Sequence, residues 1–199
     1  MKKQNVLFML TLSLLFSVGT YAQGFHYGVK AGANFAVQSE IADYFNNSDI
    51  RTGLQVGAFG NYHFNNKIAL QLEANYDQKG GKSDDVTAKY DYLSVPVLFK
   101  YSLGKSDQTA LKFNVNIGPY AAFLLNAEYD VDGNTADVKD STKDFEAGAI
   151  LGFGMSYPVG KNHVILDLRM GLGLTNYSDI DYMEESCNKY IGLSLGYEF

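Results

Sequence analysis

Acidic and basic side chains recur inside short apolar segments of this sequence. Lys30, Glu73, Asp167 and Arg169 show the pattern most clearly, since each lies between two apolar residues. Carboxylates and cations that share a confined interior can form ion pairs, line an ion path, or exchange protons in catalysis. Similar positions recur in other segments, and the full candidate set is Lys30, Glu73, Lys100, Lys112, Glu146, Asp167, Arg169 and Glu198.

A second candidate for chemistry is an acidic run that contains Asp130, Asp132 and Asp137. Such a run suggests calcium, but Gly133 is misplaced for an EF-hand loop and no glutamate follows at the required spacing. The neighbouring Asp132 and Gly133 fit the turn of a β-hairpin better. We therefore predict no metal site and no cofactor.

The elements that must position these groups are segments in which apolar and polar residues alternate. A period of two indicates strands with two unlike faces. We identify eight such segments, close to or above the length that a tilted strand needs to cross a bilayer, about 9–11 residues. They are residues 25–35, 54–64, 68–77, 89–102, 111–118, 145–157, 164–175 and 191–199.

The connections between the segments alternate in length. Short turns are predicted at residues 65–67, 104–107 and 158–162, and longer polar loops at residues 37–50, 80–88, 127–142 and 176–188. This alternation is typical of outer-membrane barrels, with short periplasmic turns and long outer loops. Pro96 and Pro119 interrupt two strands, and we expect bulges there.

The apolar faces meet either lipid or a sealed interior, because a soluble lipocalin-like barrel shows the same alternation with its faces reversed. Aromatic residues near the segment ends and a polar face rich in glycine and charge favour lipid. The last segment ends on Tyr197 and Phe199, an alternating aromatic pair that we assign as the assembly signal. We predict an all-β fold, an eight-stranded antiparallel up-and-down transmembrane β-barrel.

The N-terminus has the three parts of a secretory signal peptide: Lys2 and Lys3, an apolar run at 6–18, and small residues at 19–22. The apolar run is shorter than the ~20 residues of a transmembrane helix. We predict a signal peptide at residues 1–22 and the barrel domain at residues 23–199. Cys187 is the single cysteine, so we expect neither a lipid anchor after the apolar run nor an internal disulfide.

Five groups of residues resemble motifs of the PorT-like outer-membrane β-barrel family, which includes small barrels similar to OmpA and OmpX. They lie in order along the barrel domain, at residues 29–35, 70–80, 92–101, 118–120 and 167–176. The resemblance implies a location in the outer membrane of a Gram-negative bacterium. For PorT itself, it implies an accessory role in protein secretion.

An eight-stranded barrel leaves an interior that side chains can fill. We therefore predict that the charged set pairs across the lumen and plugs it. Lys30, Glu73, Asp167 and Arg169 are expected near mid-height. Lys100, Lys112 and Glu198 are expected nearer the periplasm. A gated ion path along the same residues is the alternative.

The three histidines test whether the barrel is an enzyme. Lipid-modifying barrels place histidine with serine and a carboxylate near the outer leaflet. Here His26 begins the first segment, His63 ends the second and His163 begins the seventh, so all three are expected at the periplasmic rim. We predict no catalytic residue and no enzymatic activity.

These inferences favour a structural or interaction protein that acts through its extracellular loops. Expected partners are outer-membrane lipid and lipopolysaccharide, the barrel-assembly machinery during biogenesis, and an envelope or extracellular protein. The formal charge of −6 argues against nucleic acid. The alternatives are a secretion accessory, a narrow channel and an outer-membrane lipid-modifying enzyme.

Overall fold

The alternating segments form strands. The computed structural model describes residues 24–38, 50–83, 86–103, 111–131, 134–139, 142–175 and 187–199. The strands are β1 (Phe25–Gln38), β2 (Arg51–His63), β3 (Ile68–Ser83), β4 (Val86–Leu103), β5 (Lys112–Val131), β6 (Asn134–Asp137), β7 (Phe145–Val159), β8 (Asn162–Gly173) and β9 (Asn188–Glu198). The part of the chain so described contains no helix long and apolar enough to span a bilayer.

Some predictions concern residues outside these ranges. The signal peptide, the turn at 104–107, and most of the loops at 37–50 and 176–188 lie outside the described residues.

The strands close into one antiparallel barrel. Successive strands pair along the chain, β4 pairs with β5, β5 pairs with β7, and β1 completes the ring by pairing with β9. β6 has only four residues and pairs with the end of β5, so eight strands form the wall. Closure satisfies the backbone hydrogen bonds that a sheet edge would leave open. The predicted eight-stranded, up-and-down barrel is confirmed.

The two ends of the barrel differ in their connections. At one end, which we call the turn end, residues 64–67 and 160–161 connect neighbouring strands, and β1 begins where β9 ends. Gly160 has φ +67° in its two-residue turn, the left-handed conformation that glycine adopts without strain. The opposite end, the loop end, carries the connections at residues 39–50, 84–85, 138–144 and 174–187, most of which are longer.

The apolar face of the wall points outward, as predicted. In the middle of β8, the side chain of Leu168 is 49% exposed, whereas Asp167 and Arg169 on either side of it are buried. Aromatic rings pack together near the two rims, with Tyr27 stacked on Phe199 at the turn end and Phe123 against Phe145 toward the loop end. The outer surface is therefore an apolar belt bounded by aromatic side chains.

Three strands extend further than predicted. The expected loop at 80–88 is strand on both sides of residues 84–85, with Ser83 opposite Val86. The expected loop at 127–142 begins as strand, because β5 continues to Val131, which lies opposite Asn134 of β6. β5 and β6 therefore pair as a hairpin, and the turn predicted at Asp132 and Gly133 lies outside the described residues.

The outward face of these extensions changes from apolar to polar. The register of β4 and β5 shifts between Asp91 and Tyr92. On the membrane side of this shift, Leu93 and Leu125 are exposed apolar side chains of the outward face. Above the shift, cross-strand and neighbouring polar groups bond to one another: Gln78 to Asp91 (3.2 Å), Asn126 to Glu128 (2.9 Å) and Lys89 to Asp130 (2.9 Å). Because these polar side chains face away from the lumen, the extensions rise above the apolar belt.

The two prolines do not produce the bulges expected of them. Pro119 lies opposite Ala149 in a continuous register, and the register is the same on both sides of Pro96. The pairing of β4 with β3 is open opposite Pro96, so its missing N–H does not interrupt a ladder there.

The outward orientation predicts that Leu168→Arg impairs insertion. Arginine at the bilayer midplane costs about 2–4 kcal/mol, whereas the cost falls to about 0–1 kcal/mol near the interface. Leu103→Arg, at the turn end of β4, is the matched control because Leu103 is also exposed. Heat-modifiable migration after refolding into lipid vesicles measures insertion. Equal insertion of both variants would contradict the orientation.

Candidate functional site

A buried carboxylate, Glu73, lies at the centre of the lumen. It projects from β3 and is 2% exposed. Arg169 of β8 reaches across the barrel and donates to both carboxylate oxygens, at 2.7 and 2.8 Å. Lys30 of β1 donates at 2.6 Å. The bidentate arginine contact fixes the carboxylate in one orientation, as planar guanidinium groups do.

Neighbouring polar groups complete this central ionic cluster, which we define as Lys30, Glu73, Asp167 and Arg169. Arg169 also donates to Asp167 at 2.7 Å, so its charge is shared by two acids. Amides from the same strand as Glu73 fill its remaining acceptor positions, with Asn75 at 2.8 Å and Gln71 also in contact. The cluster contains two cations and two carboxylates, and is balanced in formal charge.

A second ion pair lies nearer the loop end. Lys79 of β3 is 1% exposed and contacts Glu146 of β7 at 2.6 Å. The same carboxylate accepts the hydroxyl of Tyr120 at 2.6 Å and the amide of Asn188. Burial of an ammonium requires such a carboxylate, because an isolated charge would be strongly destabilising.

Three tyrosine rings surround the ammonium of Lys79, at 4.6 Å for Tyr120 and 5.0 Å for Tyr92 and Tyr190. These distances are within the range of cation–π attraction. The rings form an aromatic cage that brings β4, β5 and β9 together around a side chain from β3. The cage therefore ties together parts of the wall that do not neighbour one another.

Apolar side chains fill the lumen beside the cage. They come from β4, β5 and β7, and they are Ala88, Tyr90, Tyr92, Leu98, Tyr120, Ala122, Leu124, Ala127 and Ile150. Tyr90 and Tyr92 are fully buried. At this level, buried apolar and aromatic side chains fill the described part of the lumen.

The lumen widens at the turn end. A cavity of about 540 Å³, here called the vestibule, is lined by Gly24, His26, His63, Asn65, Asn66, Lys100, Ser102, Lys112, Asn114, Ser156, Gly160, Lys161, His163 and Glu198. Between the vestibule and the central ionic cluster is a space of only about 10 Å³. That is about the volume that one water molecule requires, so the vestibule is a blind cavity.

The predicted lumen residues divide among these three levels. Lys30, Glu73, Asp167 and Arg169 meet in the central ionic cluster. Glu146 lies in the cage, where it contacts Lys79, Tyr120 and Asn188 and no other member of the predicted set. The remaining three residues, Lys100, Lys112 and Glu198, line the vestibule together with the three histidines.

Lys79 and its aromatic partners are not among the residues predicted from the sequence. Lys79 continues the inward-facing positions of β3 that include Glu73 and Asp77, but the predicted segment ended at residue 77. Extending the alternation by two residues would have placed it in the lumen. Asp77, which the alternation places on the polar face of the third segment, was not among the charged candidates; it accepts hydrogen bonds from Asn34 at 3.0 Å and Gln55 at 2.7 Å.

Glycines of the inner wall make room for the aromatic rings. A Cβ at Gly171 would lie 2.0 Å from the ring of Tyr190, and one at Gly148 would lie 2.5 Å from the ring of Tyr120. The glycine-rich polar face noted in the sequence is therefore a packing surface for the cage.

The closed wall, the outward apolar belt and the polar, filled lumen define a transmembrane β-barrel of the outer-membrane class. Residues 21–179 match the model of the family described as outer membrane protein beta-barrel domain, and the chain belongs to that family. Its predicted location in the outer membrane is confirmed.

Solved structures share the fold. Neisserial surface protein A is 14% identical over 89% of this chain and 98% of its own, with a TM-score of 0.56. Ail of Yersinia pestis (15% identity, 89% and 100% covered, TM-score 0.48) and OprG of Pseudomonas aeruginosa (13%, 88% and 94%, TM-score 0.45) also match. At these identities the likeness concerns the fold alone. No curated protein sequence matches the chain.

The family gives the barrel its orientation. In bacterial outer-membrane barrels the short turns face the periplasm and the longer loops face outward. The turn end, with the vestibule, is therefore periplasmic, and the loop end, with the cage and the extended hairpins, is extracellular.

The central ionic cluster predicts that Glu73→Ala strongly lowers stability, because it leaves Lys30 and Arg169 buried without their shared carboxylate. Removal of one partner from a buried pair costs about 3–5 kcal/mol. Lys89→Gln breaks the partly exposed pair with Asp130 and should cost about 0–1 kcal/mol. Urea unfolding followed by circular dichroism measures the difference, since the chain has no tryptophan. A large pore current from Glu73→Ala in planar bilayers would contradict a plugged lumen.

The close approach of Gly171 to Tyr190 predicts that Gly171→Ala destabilises the barrel by about 1–3 kcal/mol through overpacking. Gly152→Ala is the control, because its Cβ would meet no atom closer than 3.1 Å. The free energy of unfolding in detergent micelles is the measurement. Equal values for the two variants would show that the cage can shift without loss.

Proposed function

We propose that this protein is an interaction barrel: the wall anchors it in the outer membrane, and its extracellular hairpins and loops contact a partner. One observation carries the proposal. The lumen is filled at two levels by buried ion pairs and aromatic rings, while β3, β4 and β5 continue beyond the apolar belt. The chain therefore forms ordered strands outside the membrane, and its lumen does not form an open path across it.

The lengths of the strands support this argument. β3, β4 and β5 have 16, 18 and 20 residues, whereas about 9–11 residues suffice for a tilted strand to cross the bilayer. A paired extension loses less conformational entropy on binding than a free loop, because its backbone is already ordered. The extended hairpins are suited to present a preformed surface.

The chemistry of that surface favours a protein partner with mixed charge. Lys89, Asp130 and Glu128 present both signs within one small region, alongside the amide of Asn126. Such a surface supports specific hydrogen bonds and ion pairs more than simple attraction to a polyanion. Outer-membrane lipid and lipopolysaccharide surround the wall, and the assembly machinery recognises the chain through Tyr197 and Phe199.

The finer proposal is a PorT-like accessory of protein secretion, supported by the resemblance of the five motifs. The same extracellular hairpins would then contact other components of the secretion apparatus. A narrow channel is disfavoured because the cage and the central ionic cluster fill the lumen. We also propose that the protein is not an enzyme, since its histidines line the periplasmic vestibule and not the outer-leaflet end.

Removal of the β5–β6 hairpin tests the proposal. Val138 N donates to Ala127 O at 3.0 Å, so residues 128–137 can be replaced by Asn-Gly, which closes a two-residue hairpin between that pair. Chemical crosslinking on intact cells, followed by mass spectrometry, should detect partners of the wild-type protein that the shortened variant loses. Lys161→Gln, at the periplasmic turn, is the control and should retain them.

The outcomes separate the alternatives. Crosslinked partners that survive the replacement would contradict a role for this hairpin. Loss of secreted proteins from the culture medium on deletion of the gene, restored by wild type but not by the shortened variant, would support the secretion role. Unchanged secretion with loss of a crosslinked partner would leave the interaction proposal and overturn the PorT-like one.

A further inference from the structure

The vestibule is markedly cationic. Its charged lining groups come from six strands and one turn of the described barrel: His26 from β1, His63 from β2, Lys100 from β4, Lys112 from β5, Lys161 from the β7–β8 turn, His163 from β8 and Glu198 from β9. Three lysines therefore face one carboxylate, and any protonated histidine adds to the excess. A concave surface of one sign concentrates ions of the opposite charge.

That carboxylate is already engaged. Glu198 accepts a hydrogen bond from Asn61 at 2.5 Å and lies 3.5 Å from Nδ1 of His163. It is not in contact with any of the three lysines of the vestibule among the described residues. Glu198 and Asp167 attract the ammonium of Lys100 from a longer distance, but one engaged carboxylate does not balance three lysines, and the vestibule keeps an excess of positive charge.

Lys100 is the lining group that most clearly indicates a site for an anion. It is 7% exposed, and the hydrogen bond that the described residues give its ammonium is a long one of 3.4 Å, to Oε1 of Gln71. The other two buried lysines, Lys30 and Lys79, each contact a carboxylate at 2.6 Å. A buried ammonium without a close counter-charge is costly, and Lys100 lies at the inner end of an accessible cavity.

We propose that the vestibule binds a soluble phosphate-bearing anion from the periplasm. Lysine ammonium groups bind phosphate as point charges, and the described lining contains three lysines but no arginine. Ser102, Ser156 and the amide of Asn114 add neutral donors for further oxygens. A volume of about 540 Å³ exceeds that of phosphate alone and lies within the range of small-molecule sites, so an organic phosphate fits best.

The position of the vestibule favours a soluble ligand over a lipid. It opens along the barrel axis, inside the ring of strands, whereas lipid headgroups surround the outer wall. This site is also independent of the extracellular hairpins, so the present inference goes beyond the proposed interaction role, and either can fail without the other.

Isothermal titration calorimetry tests the proposal with the full barrel refolded in a zwitterionic detergent at constant ionic strength. The probes are glycerol 3-phosphate, inorganic phosphate and succinate. We expect saturable binding of glycerol 3-phosphate, weaker binding of phosphate, and none of succinate. Lys112→Gln and Lys161→Gln should each raise the Kd for glycerol 3-phosphate about ten-fold or more, as loss of a hydrogen bond to a charged group does. Lys89→Gln, at the extracellular end, should leave it unchanged.

A second measurement covers Lys100, whose replacement removes a buried charge. Glycerol 3-phosphate should raise the urea midpoint of the wild-type protein, because a ligand that binds only the folded state stabilises it. Lys100→Met should fold at least as well as wild type without the ligand, and its urea midpoint should not respond to the ligand. A response equal to that of wild type would overturn the assignment of Lys100.

Other results overturn the proposal as a whole. Absence of saturable binding to the wild-type barrel, or an equal loss in Lys89→Gln, would show that the vestibule has no specific phosphate site. Succinate binding as tightly as glycerol 3-phosphate would overturn the phosphate class. Binding of short-chain phosphatidylglycerol in place of the soluble probes would overturn the soluble source.

Discussion

The structure depends on the closure of its sheet. In a hydrocarbon layer no water is present to satisfy an open strand edge, so β1 must pair with β9, and β4 with β5, before the wall can stand in the membrane. Closure of eight strands also fixes a narrow interior, and charges enclosed there away from any open cavity require partners. The apolar belt, the ion pairs and the glycine-lined cage all follow from this one requirement.

The wall was predictable because its signal is local. Leu168 between Asp167 and Arg169 shows the period of two within three residues, and that period assigns both faces. The partners inside the lumen were less predictable, because Lys79 and Glu146 meet only when the register of several strands around the ring is known. The extended hairpins were missed for a different reason. Above the apolar belt the alternation continues, but its faces exchange: apolar side chains such as Tyr90 and Ala127 are buried toward the lumen, and polar ones face outward, so the pattern no longer matches a membrane strand.

The lumen divides into regions with different physical roles. Toward the outside, the aromatic cage and its apolar neighbours exclude water. At mid-height, the charges of the central ionic cluster balance. At the periplasmic end, the cavity is open and its charge is unbalanced. The asymmetry means that the two faces of the membrane meet different surfaces of the same barrel, polar hairpins outside and a cationic hollow inside the cell envelope.

The bond between Glu73 and Arg169 joins residues 96 positions apart, and that between Asn61 and Glu198 joins residues 137 apart. Neither can form until the strands between them have been brought together, and closing such long stretches of chain carries an entropic cost. The lumen bonds therefore belong to the last stage of folding, after the hairpins have assembled. Interactions that form late act mainly on the rate of unfolding. We therefore expect the buried charges to slow the unfolding of the finished barrel more than they direct its assembly.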